Sequence, residues 1–312
     1  MKTALLDLLI CPACLPDEHP IHEIATRATP DDILEGILRC NACGTEYPIR
    51  DGIAYLDIQH PERGVENNRY ETLSVLSSYL WSHFGDILKD EEASDAYRKW
   101  ADLMNPCKGV CLDAGSAVGR FSFEMAQKCD YVVGIDNSFS FIRAARDLML
   151  RRELSLALPQ EGQLAEERTL SVPQDWRTDN IDFIVGDALA LPFCSGAFSA
   201  LSSLNIVDKV SNPIRHLHEI NRTADKKDAQ FLFSDPFSWS TEVANQADWL
   251  GGTAQGIFPG RGKDNVLALL EGRKDGFVPH WRVQDQGHVW WKIRTHSNHF
   301  ELIRSQFIKA VR

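Results

Sequence analysis

Residues 112–121, together with the run 132–136, constrain the possible fold more than any other part of the sequence. They have the pattern of an apolar strand, a glycine-containing turn, the start of a helix and a second strand that ends in an acid. Gly115 and Gly119 let the backbone approach a ligand closely, and the helix that follows has free N–H groups in its first turn. Asp136 is placed to accept hydrogen bonds from a ribose. The pattern therefore predicts a nucleotide-like cofactor site.

Strands and helices alternate around this site and beyond it. Apolar runs and helical periodicity predict strands at 109–114, 131–135, 181–186, 197–204 and 229–234, and helices at 119–128, 138–151 and 213–223. The alternation predicts an α/β fold with a parallel, Rossmann-like sheet and helices on both faces. Two late β-like runs, 288–294 and 302–311, predict antiparallel strands at the edge of this sheet.

Two long segments interrupt the alternation. The first, 152–180, is polar, and the second, 235–285, is rich in glycine and carries tryptophans. We expect irregular insertions, which in compact domains are usually functional lids or disordered loops. The second segment leaves the carboxyl end of a strand, where ligands bind in this architecture. The first enters a strand at its amino end, so it starts on the opposite face unless it wraps around.

Two Cys-x-x-Cys pairs near the N-terminus, Cys11 with Cys14 and Cys40 with Cys43, supply four thiolates. Four thiolates in this arrangement are the natural ligands of a tetrahedral Zn²⁺, and they leave no coordination position open. We therefore predict a structural zinc. The alternative of four unliganded thiols is weak, because so short a module has little core without a metal.

The chain is long enough for about two domains. We predict a zinc-ribbon domain at 1–60, a helical linker or cap at 61–105 and the cofactor-binding α/β domain at 106–312. Apolar side chains near helical spacing between Tyr70 and Phe84 support the helical part.

Charge and hydropathy bear on the partners and the compartment. The formal net charge is −11 at pH 7, which disfavours nucleic acid as a partner because general nucleic-acid binders present a basic surface. The segment 261–312 is locally basic. No cleavable leader pattern is present, and no segment reaches the roughly 18 uninterrupted apolar residues of a membrane span. We expect a cytoplasmic protein without a membrane partner.

The N-terminal segments 5–14 and 40–56 resemble the small zinc-ribbon activator proteins of methyltransferases. Members of that family bind and stabilise tRNA and protein methyltransferases. The resemblance implies that the ribbon is fused here to its catalytic partner.

The cofactor site lacks the Gly-x-Gly-x-x-Gly fingerprint that a nicotinamide site prefers. Asp113 precedes the glycine turn, where it is placed to hold the amino group of a methionine moiety. The segment 183–193 adds a third strand that ends at Asp187 and Ala188, where the acid can meet an adenine amine. Together these segments resemble the class I methyltransferases that use S-adenosylmethionine (SAM). The resemblance implies that SAM is the cofactor.

A narrower resemblance covers roughly residues 110–312, through the segments 117–124, 134–142, 161–173, 205–213, 235–239 and 249–252. They resemble the 4-mercaptohistidine N1-methyltransferase module of ovothiol biosynthesis. The resemblance implies N-methylation of a small thiol-substituted imidazole. The chain also departs from that family: Ser116 replaces the usual cysteine, Asp235 stands where a serine is more common, and a zinc ribbon precedes the module instead of an iron-dependent sulfoxide synthase.

Two residues after the fourth strand are candidates for the chemistry. Methyl transfer needs a nucleophile about 3 Å from the methyl carbon, so positioning carries most of the work. The side-chain carbonyl of Asn205 can hold a nucleophilic nitrogen, and Asp208 can orient or deprotonate an imidazole-like ring. The alternative for Asp208 is that it caps the next helix.

Candidates for the substrate wall come later in the chain. Asp235 would alter the charge that a substrate meets, and Trp239 and Trp249 can wall a pocket for a flat or cationic molecule. Core packing is the alternative for both tryptophans. If Trp290 and Trp291 lie on a strand, they must point to opposite faces.

Three functions remain open from the sequence. The leading one is SAM-dependent methylation of a small thiol-imidazole-like metabolite. The alternatives are an RNA or protein methyltransferase that uses the zinc ribbon for recognition, and a catalytically silent binding module.

Overall fold

A computed structural model of the protein describes residues 1–58, 69–274 and 276–312. The start of the predicted helical segment, residues 61–68, lies outside the described residues.

The N-terminal part is an antiparallel meander preceded by short 3-10 turns at Thr3–Leu8 and Pro12–Cys14. Its strands are β1 (Ile21–Ala28), β2 (Ile33–Cys40), β3 (Glu46–Arg50) and β4 (Ile53–Leu56). Gly52, with a φ of 73°, makes the tight turn between the last two strands, because this backbone conformation has no steric penalty for glycine.

Two helices follow, α1 (Leu73–Phe84) and α2 (Ala96–Leu103). Thr72 caps the first, since its hydroxyl accepts a hydrogen bond from the Val75 N–H at 3.4 Å. The buried faces carry large aromatic side chains, among them Trp81 and Trp100, both fully buried. Both helices therefore pack against the sheet.

The remaining elements include every strand and helix that the sequence predicts, together with a strand pair and a helix that it does not. They are β5 (Cys107–Ala114), α3 (Arg120–Ala126), β6 (Cys129–Asp136), α4 (Phe139–Arg151), β7 (Glu153–Glu161), β8 (Leu164–Ser171), β9 (Ile181–Gly186), β10 (Ala200–Leu204), α5 (Pro213–Thr223), β11 (Gln230–Asp235), α6 (Gly262–Leu270), β12 (Arg282–His296) and β13 (His299–Val311).

Within the described residues, eleven strands form one sheet in the order β1-β2-β3-β4-β9-β6-β5-β10-β11-β13-β12. The pairs from β4 to β11 are parallel, and both ends of the sheet are antiparallel. The predicted α/β, Rossmann-like fold with antiparallel late strands is confirmed. A difference from the expectation is that the ribbon meander joins this sheet, because β4 pairs with β9.

The expectation of an irregular insertion at 152–180 is wrong for most of that segment, where β7 and β8 form a hairpin. The physical reason is a period-2 pattern: Leu154, Leu156 and Leu158 alternate along β7, and the last two are buried. The hairpin is held to the β12–β13 turn by Ser297, whose hydroxyl donates to the Gln160 carbonyl at 2.7 Å.

The second insertion, 235–285, is mostly irregular but includes α6 and a 3-10 turn at Gln246–Asp248. The buried amide of Asn265 donates to the carbonyls of Leu250 and Pro259, each at 3.0 Å. These bonds hold the segment against α6. Among the described helices, none combines the length and the apolar character that crossing a bilayer requires.

Candidate functional site

A cleft opens at the carboxyl ends of the central parallel strands, the edge where α/β sheets bind ligands. Its empty volume is about 770 Å³, a figure that includes the open solvent at its mouth. Five of the predicted site residues line it: Gly115, Asp136, Asp187, Ala188 and Asn205. The lining does not include the other predicted residues, which are Asp113, Gly119, Asp208, Asp235, Trp239, Trp249 and the four ribbon cysteines.

The glycine turn brings the backbone against this cleft. Gly115 has a φ of 78°, and a Cβ added there would lie 2.6 Å from Ile206 Cδ1. Gly119 is the N-cap of α3 and has a φ of 84°, and a Cβ there would lie 2.6 Å from Phe183 Cζ. Gly119 does not line the cleft, so its contribution is the close approach of α3 to the sheet.

Asp136 faces the cleft from the end of β6. Its carboxylate accepts hydrogen bonds from the N–H groups of Ala117 and Ser138, each at 2.9 Å. Burial raises the pKa of Asp136 to about 6. The two backbone donors fix its direction and leave further lone pairs for a ligand.

Asp187 and Ala188 face the cleft beyond β9. The Asp187 carboxylate accepts from the Leu189 N–H at 2.8 Å, and burial raises its pKa. The Ala188 carbonyl lies 3.1 Å from Nδ1 of the buried His216, whose Nε2 lies 2.8 Å from the Ser203 hydroxyl. This contact fixes the turn after β9.

Asp113 is buried beneath the cleft and does not line it. Its two carboxylate oxygens accept from the hydroxyls of Ser122 at 2.6 Å and Ser202 at 2.8 Å, and burial raises its pKa to about 6. Ser116, next to the turn, is also buried. Asp113 thus links β5, α3 and β10 under the glycine turn.

Asn205 lies at the end of β10 with a φ of 58°. Its side-chain carbonyl, the atom expected to hold a nucleophile, already accepts from the Ser305 hydroxyl at 2.6 Å. Its buried Nδ2 has no hydrogen-bond partner among the described residues. The group that Asn205 presents is therefore an amide donor.

Asp208 and Asp235 form a buried carboxylate pair beside the cleft. The Asp208 carboxylate accepts from the Ser238 N–H at 2.7 Å and lies 3.0 Å from Lys209 Nζ. The Asp235 carboxylate accepts from the N–H groups of Phe237 at 2.7 Å and Asp208 at 3.3 Å. Burial and the neighbouring Asp208 charge raise the pKa of Asp235 well above its usual value.

The helix-cap alternative for Asp208 is wrong, since Asn212 caps α5 by accepting from the Arg215 N–H at 3.1 Å. Neither Asp208 nor Asp235 lines the cleft, but Lys209, the ion-pair partner of Asp208, does. The sequence reasoning missed this lysine.

Trp239 and Trp249 stack on each other with ring centroids 6.1 Å apart and lie outside the cleft. Trp249 borders a separate depression in the second insertion. On β12, Trp290 is 49% exposed and Trp291 is 5% exposed, so the adjacent pair points to opposite faces as expected.

An aromatic wall that the sequence reasoning missed lines part of the cleft. It consists of Tyr70, Tyr79, His83, Tyr97, Phe141 and Trp291. The rings contact one another, with centroid distances of 4.7 Å for Tyr79 and Phe141 and 3.8 Å for His83 and Tyr97. Helices α1, α2 and α4, strand β12 and a 3-10 turn at Arg69–Glu71 supply the wall, so no single sequence window contains its pattern.

The four predicted zinc ligands come together away from the cleft. The sulfurs of Cys11, Cys14, Cys40 and Cys43 all lie within 4.8 Å of one another, with 3.6 Å between Cys11 and Cys43 and 3.8 Å between Cys14 and Cys40. Zn–S bonds of about 2.3 Å in a tetrahedron separate sulfurs by roughly 3.8 Å. The donor set and spacing fit a structural zinc.

Family models match both parts of this architecture. Residues 2–52 match the model described as Trm112p-like protein, and residues 112–228 match the model described as methyltransferase domain. The chain carries a methyltransferase domain. The matched domain contributes Gly115, Asp136 and Asp187 to the cleft. The enzyme is a SAM-dependent methyltransferase joined to a Trm112-like zinc-ribbon domain.

Three solved structures illustrate the likeness. A SAM-dependent methyltransferase from Methanosarcina mazei is 17% identical over 70% of this chain and 99% of that chain, with a TM-score of 0.43. A Haemonchus contortus phosphoethanolamine N-methyltransferase 2 is 15% identical over 61% and 38%, with a TM-score of 0.42. A complex of the Haloferax volcanii Trm112 methyltransferase activator and a putative methyltransferase gives 14% identity over 76% and 96%, with a TM-score of 0.44. No curated protein matches the chain.

Proposed function

We propose that this methyltransferase N-methylates a small, thiol-imidazole-like metabolite. The observation that carries the proposal is the aromatic wall, which lines the same cleft as Asn205 and Lys209. Aromatic rings such as Tyr79 and Trp291 suit a flat heteroaromatic ring, and a few polar groups opposite them can fix its orientation.

The strand ends supply a fitting site for the methyl donor. Asp136 would accept from the ribose hydroxyls, Asp187 would accept from the adenine amine, and the backbone at Gly115 and Ala188 would border the nucleoside. Asp113 and Gly119 would support the turn from below. When bound, SAM supplies an activated methyl group, so the protein has to position the acceptor and exclude water.

The acceptor side has an amide donor and a cation. The unpartnered Nδ2 of Asn205 would donate to a lone pair of the acceptor's sulfur. Lys209, held by Asp208 at 3.0 Å, would favour an ionised thiol. Asp235 would set the charge next to this ion pair, while Trp239 and Trp249 would support the second insertion at its border.

A second candidate function is RNA or protein methylation, with the ribbon used for recognition. The observation that favours it is the Trm112p-like match over residues 2–52. Against an RNA substrate stands the net charge of −11, because polyanion binding requires a basic surface. None of the four ribbon cysteines lines the cleft.

Incubation with methyl-labelled SAM and three acceptor sets separates these functions. The sets are thiol-substituted imidazoles, total cellular RNA and cellular protein. We expect label in the thiol-imidazoles, with mass spectrometry placing the methyl group on a ring nitrogen. Label only in RNA or protein would replace this proposal with the second candidate.

A further inference from the structure

His83 is a buried histidine of the aromatic wall, and neither candidate function assigns a role to its ring nitrogens. It lies near the end of α1, is 3% exposed and lines the cleft. Its Nε2 lies 2.6 Å from the Tyr97 hydroxyl, and its buried Nδ1 has no hydrogen-bond partner in the part of the chain that the structure describes.

The Tyr97 contact determines which ring nitrogen carries the proton. Burial raises the pKa of Tyr97 well above its usual value, so the phenol keeps its proton. His83 is the partner that the structure shows for this hydroxyl among the described residues, so the phenol donates to Nε2. Burial, and secondarily the Arg120 charge, lower the pKa of His83. A neutral ring with an accepting Nε2 carries its proton on Nδ1.

The position of this donor is fixed by its surroundings. The buried Arg120 donates to the His83 carbonyl at 3.0 Å and to the Asp86 carboxylate at 2.6 Å. The neighbouring Ser82 donates to the Lys292 carbonyl of β12 at 2.6 Å. An unpaired donor held rigidly in a buried wall is unfavourable until a ligand atom pairs with it.

We propose that His83 is a ligand-binding residue whose Nδ1–H donates to the carboxylate of an amino-acid group bound in the cleft. The inference rests on the proposed function, in which Asp136 and Asp187 already serve the ribose and the adenine. The methionyl carboxylate is then the remaining strong hydrogen-bond acceptor of SAM, and an acceptor of the amino-acid type carries the same group. Tyr97 is a positioning residue, because it selects the tautomer.

Two substitutions separate the donor from the fold. His83→Asn keeps an amide N–H near the position of Nδ1 but cannot reach Tyr97. His83→Gln keeps a partner for Tyr97 and has no donor near Nδ1. His218→Asn makes the same chemical change at an exposed histidine outside the cleft and serves as the control, with circular dichroism to verify folding.

The first arm of the experiment measures, by calorimetry, how tightly SAM and decarboxylated SAM bind to each variant. If the donor meets the SAM carboxylate, His83→Gln should weaken SAM binding by about tenfold or more, as expected for a hydrogen bond to a charged group. Decarboxylated SAM should bind this variant as it binds the unsubstituted protein. His83→Asn and His218→Asn should keep most of the preference for SAM over decarboxylated SAM. Tyr97→Phe should lower this preference in part.

The second arm compares a thiol-imidazole amino acid with its decarboxylated amine, in the presence of saturating SAM analogue. If His83→Gln no longer distinguishes the amino acid from its amine but still prefers SAM to decarboxylated SAM, the carboxylate that His83 binds belongs to the methyl acceptor. The inference is wrong if His83→Gln still prefers the carboxylated ligand both to decarboxylated SAM and to the decarboxylated amine. If no thiol-imidazole binds the unsubstituted protein, the proposed function fails. The comparison of SAM with decarboxylated SAM then tests by itself whether His83 binds a carboxylate.

Discussion

Leu56 of the zinc-ribbon domain is paired in register with Gly186, the last residue of the parallel strand β9. The next two residues, Asp187 and Ala188, line the cleft. The ribbon therefore supplies the strand next to β9, whose end borders the cleft. A change in the metal cluster should reach the cofactor through this pairing.

Loss of zinc should weaken both the fold and SAM binding. Cys40→Ser removes a buried ligand, and because structural zinc contributes folding free energy directly, we expect the melting temperature to fall by about 5 °C or more. The SAM affinity should fall with it, and a chelator should reproduce both effects. Differential scanning fluorimetry, metal analysis and calorimetry check this prediction. Cys194→Ser, outside the cluster, is the control. An unchanged SAM affinity in the zinc-free protein would contradict the prediction that zinc supports SAM binding.

The glycine turn should not tolerate a side chain. Gly115→Ala forces a left-handed conformation on a residue with a Cβ, about 1–2 kcal/mol, and adds the overlap with Ile206. We expect lower thermal stability and loss of SAM binding. Gly162 has a φ of 56°, and a Cβ added there would have nothing within 4 Å. Gly162→Ala therefore measures the cost of the left-handed backbone without a steric overlap. Equal effects of the two variants on SAM affinity would refute the close-approach explanation.

SAM affinity should depend on pH through Asp136. Its pKa in the fold is raised by burial to about 6, and the ionised form is the better acceptor for ribose hydroxyls. Affinity should therefore rise as the pH increases through about 6 and fall roughly tenfold per unit well below it. Calorimetry from pH 5 to 8 tests this.

Asp136→Asn should weaken SAM binding and flatten that pH profile. Asp130→Asn, an exposed acid outside the cleft, should leave the profile as it is. A profile that keeps its slope in Asp136→Asn would assign the titration to another group, such as Asp113, whose pKa burial also raises to about 6.

Lys209 should act on the acceptor and not on SAM. Its Nζ is paired with the buried Asp208, and it borders the side of the cleft next to Asn205. Lys209→Met should lower kcat/KM for a thiol acceptor with little change in the SAM dissociation constant, since it removes the charge that favours the thiolate. Steady-state kinetics and calorimetry separate the two quantities. Lys227→Met, at an exposed position, is the matched control, and a weaker SAM affinity in Lys209→Met alone would place the lysine on the donor side.

The sequence predicts well the features that are encoded locally. The β9 and α5 bounds, 181–186 and 213–223, agree with the structure, because an apolar run and an Asn-Pro helix start are contained in short windows. Asp136 and Asp187 follow strands, and parallel strands carry such acids to a common edge. The hairpin at β7 and β8 also had a local signal, the alternating leucines, which the polar composition of the segment concealed.

Features that depend on distant contacts could not be predicted in this way. Whether Asp113 faces the cleft is decided by Ser122 and Ser202, which lie on other elements. The role of His83 depends on Tyr97 on the next helix, since that hydroxyl selects the tautomer. Asn205 presents its amide and not its carbonyl because Ser305 of β13 occupies the oxygen.

The covalent continuity between the ribbon and the sheet has a consequence for dilution. A strand supplied by a separate subunit would leave the sheet once its concentration fell below the dissociation constant. Here β4 is tethered, so its effective local concentration stays constant. Specific activity should consequently be the same at nanomolar and micromolar enzyme, and a free ribbon protein would have to displace β4 in order to pair with Val185 and Gly186.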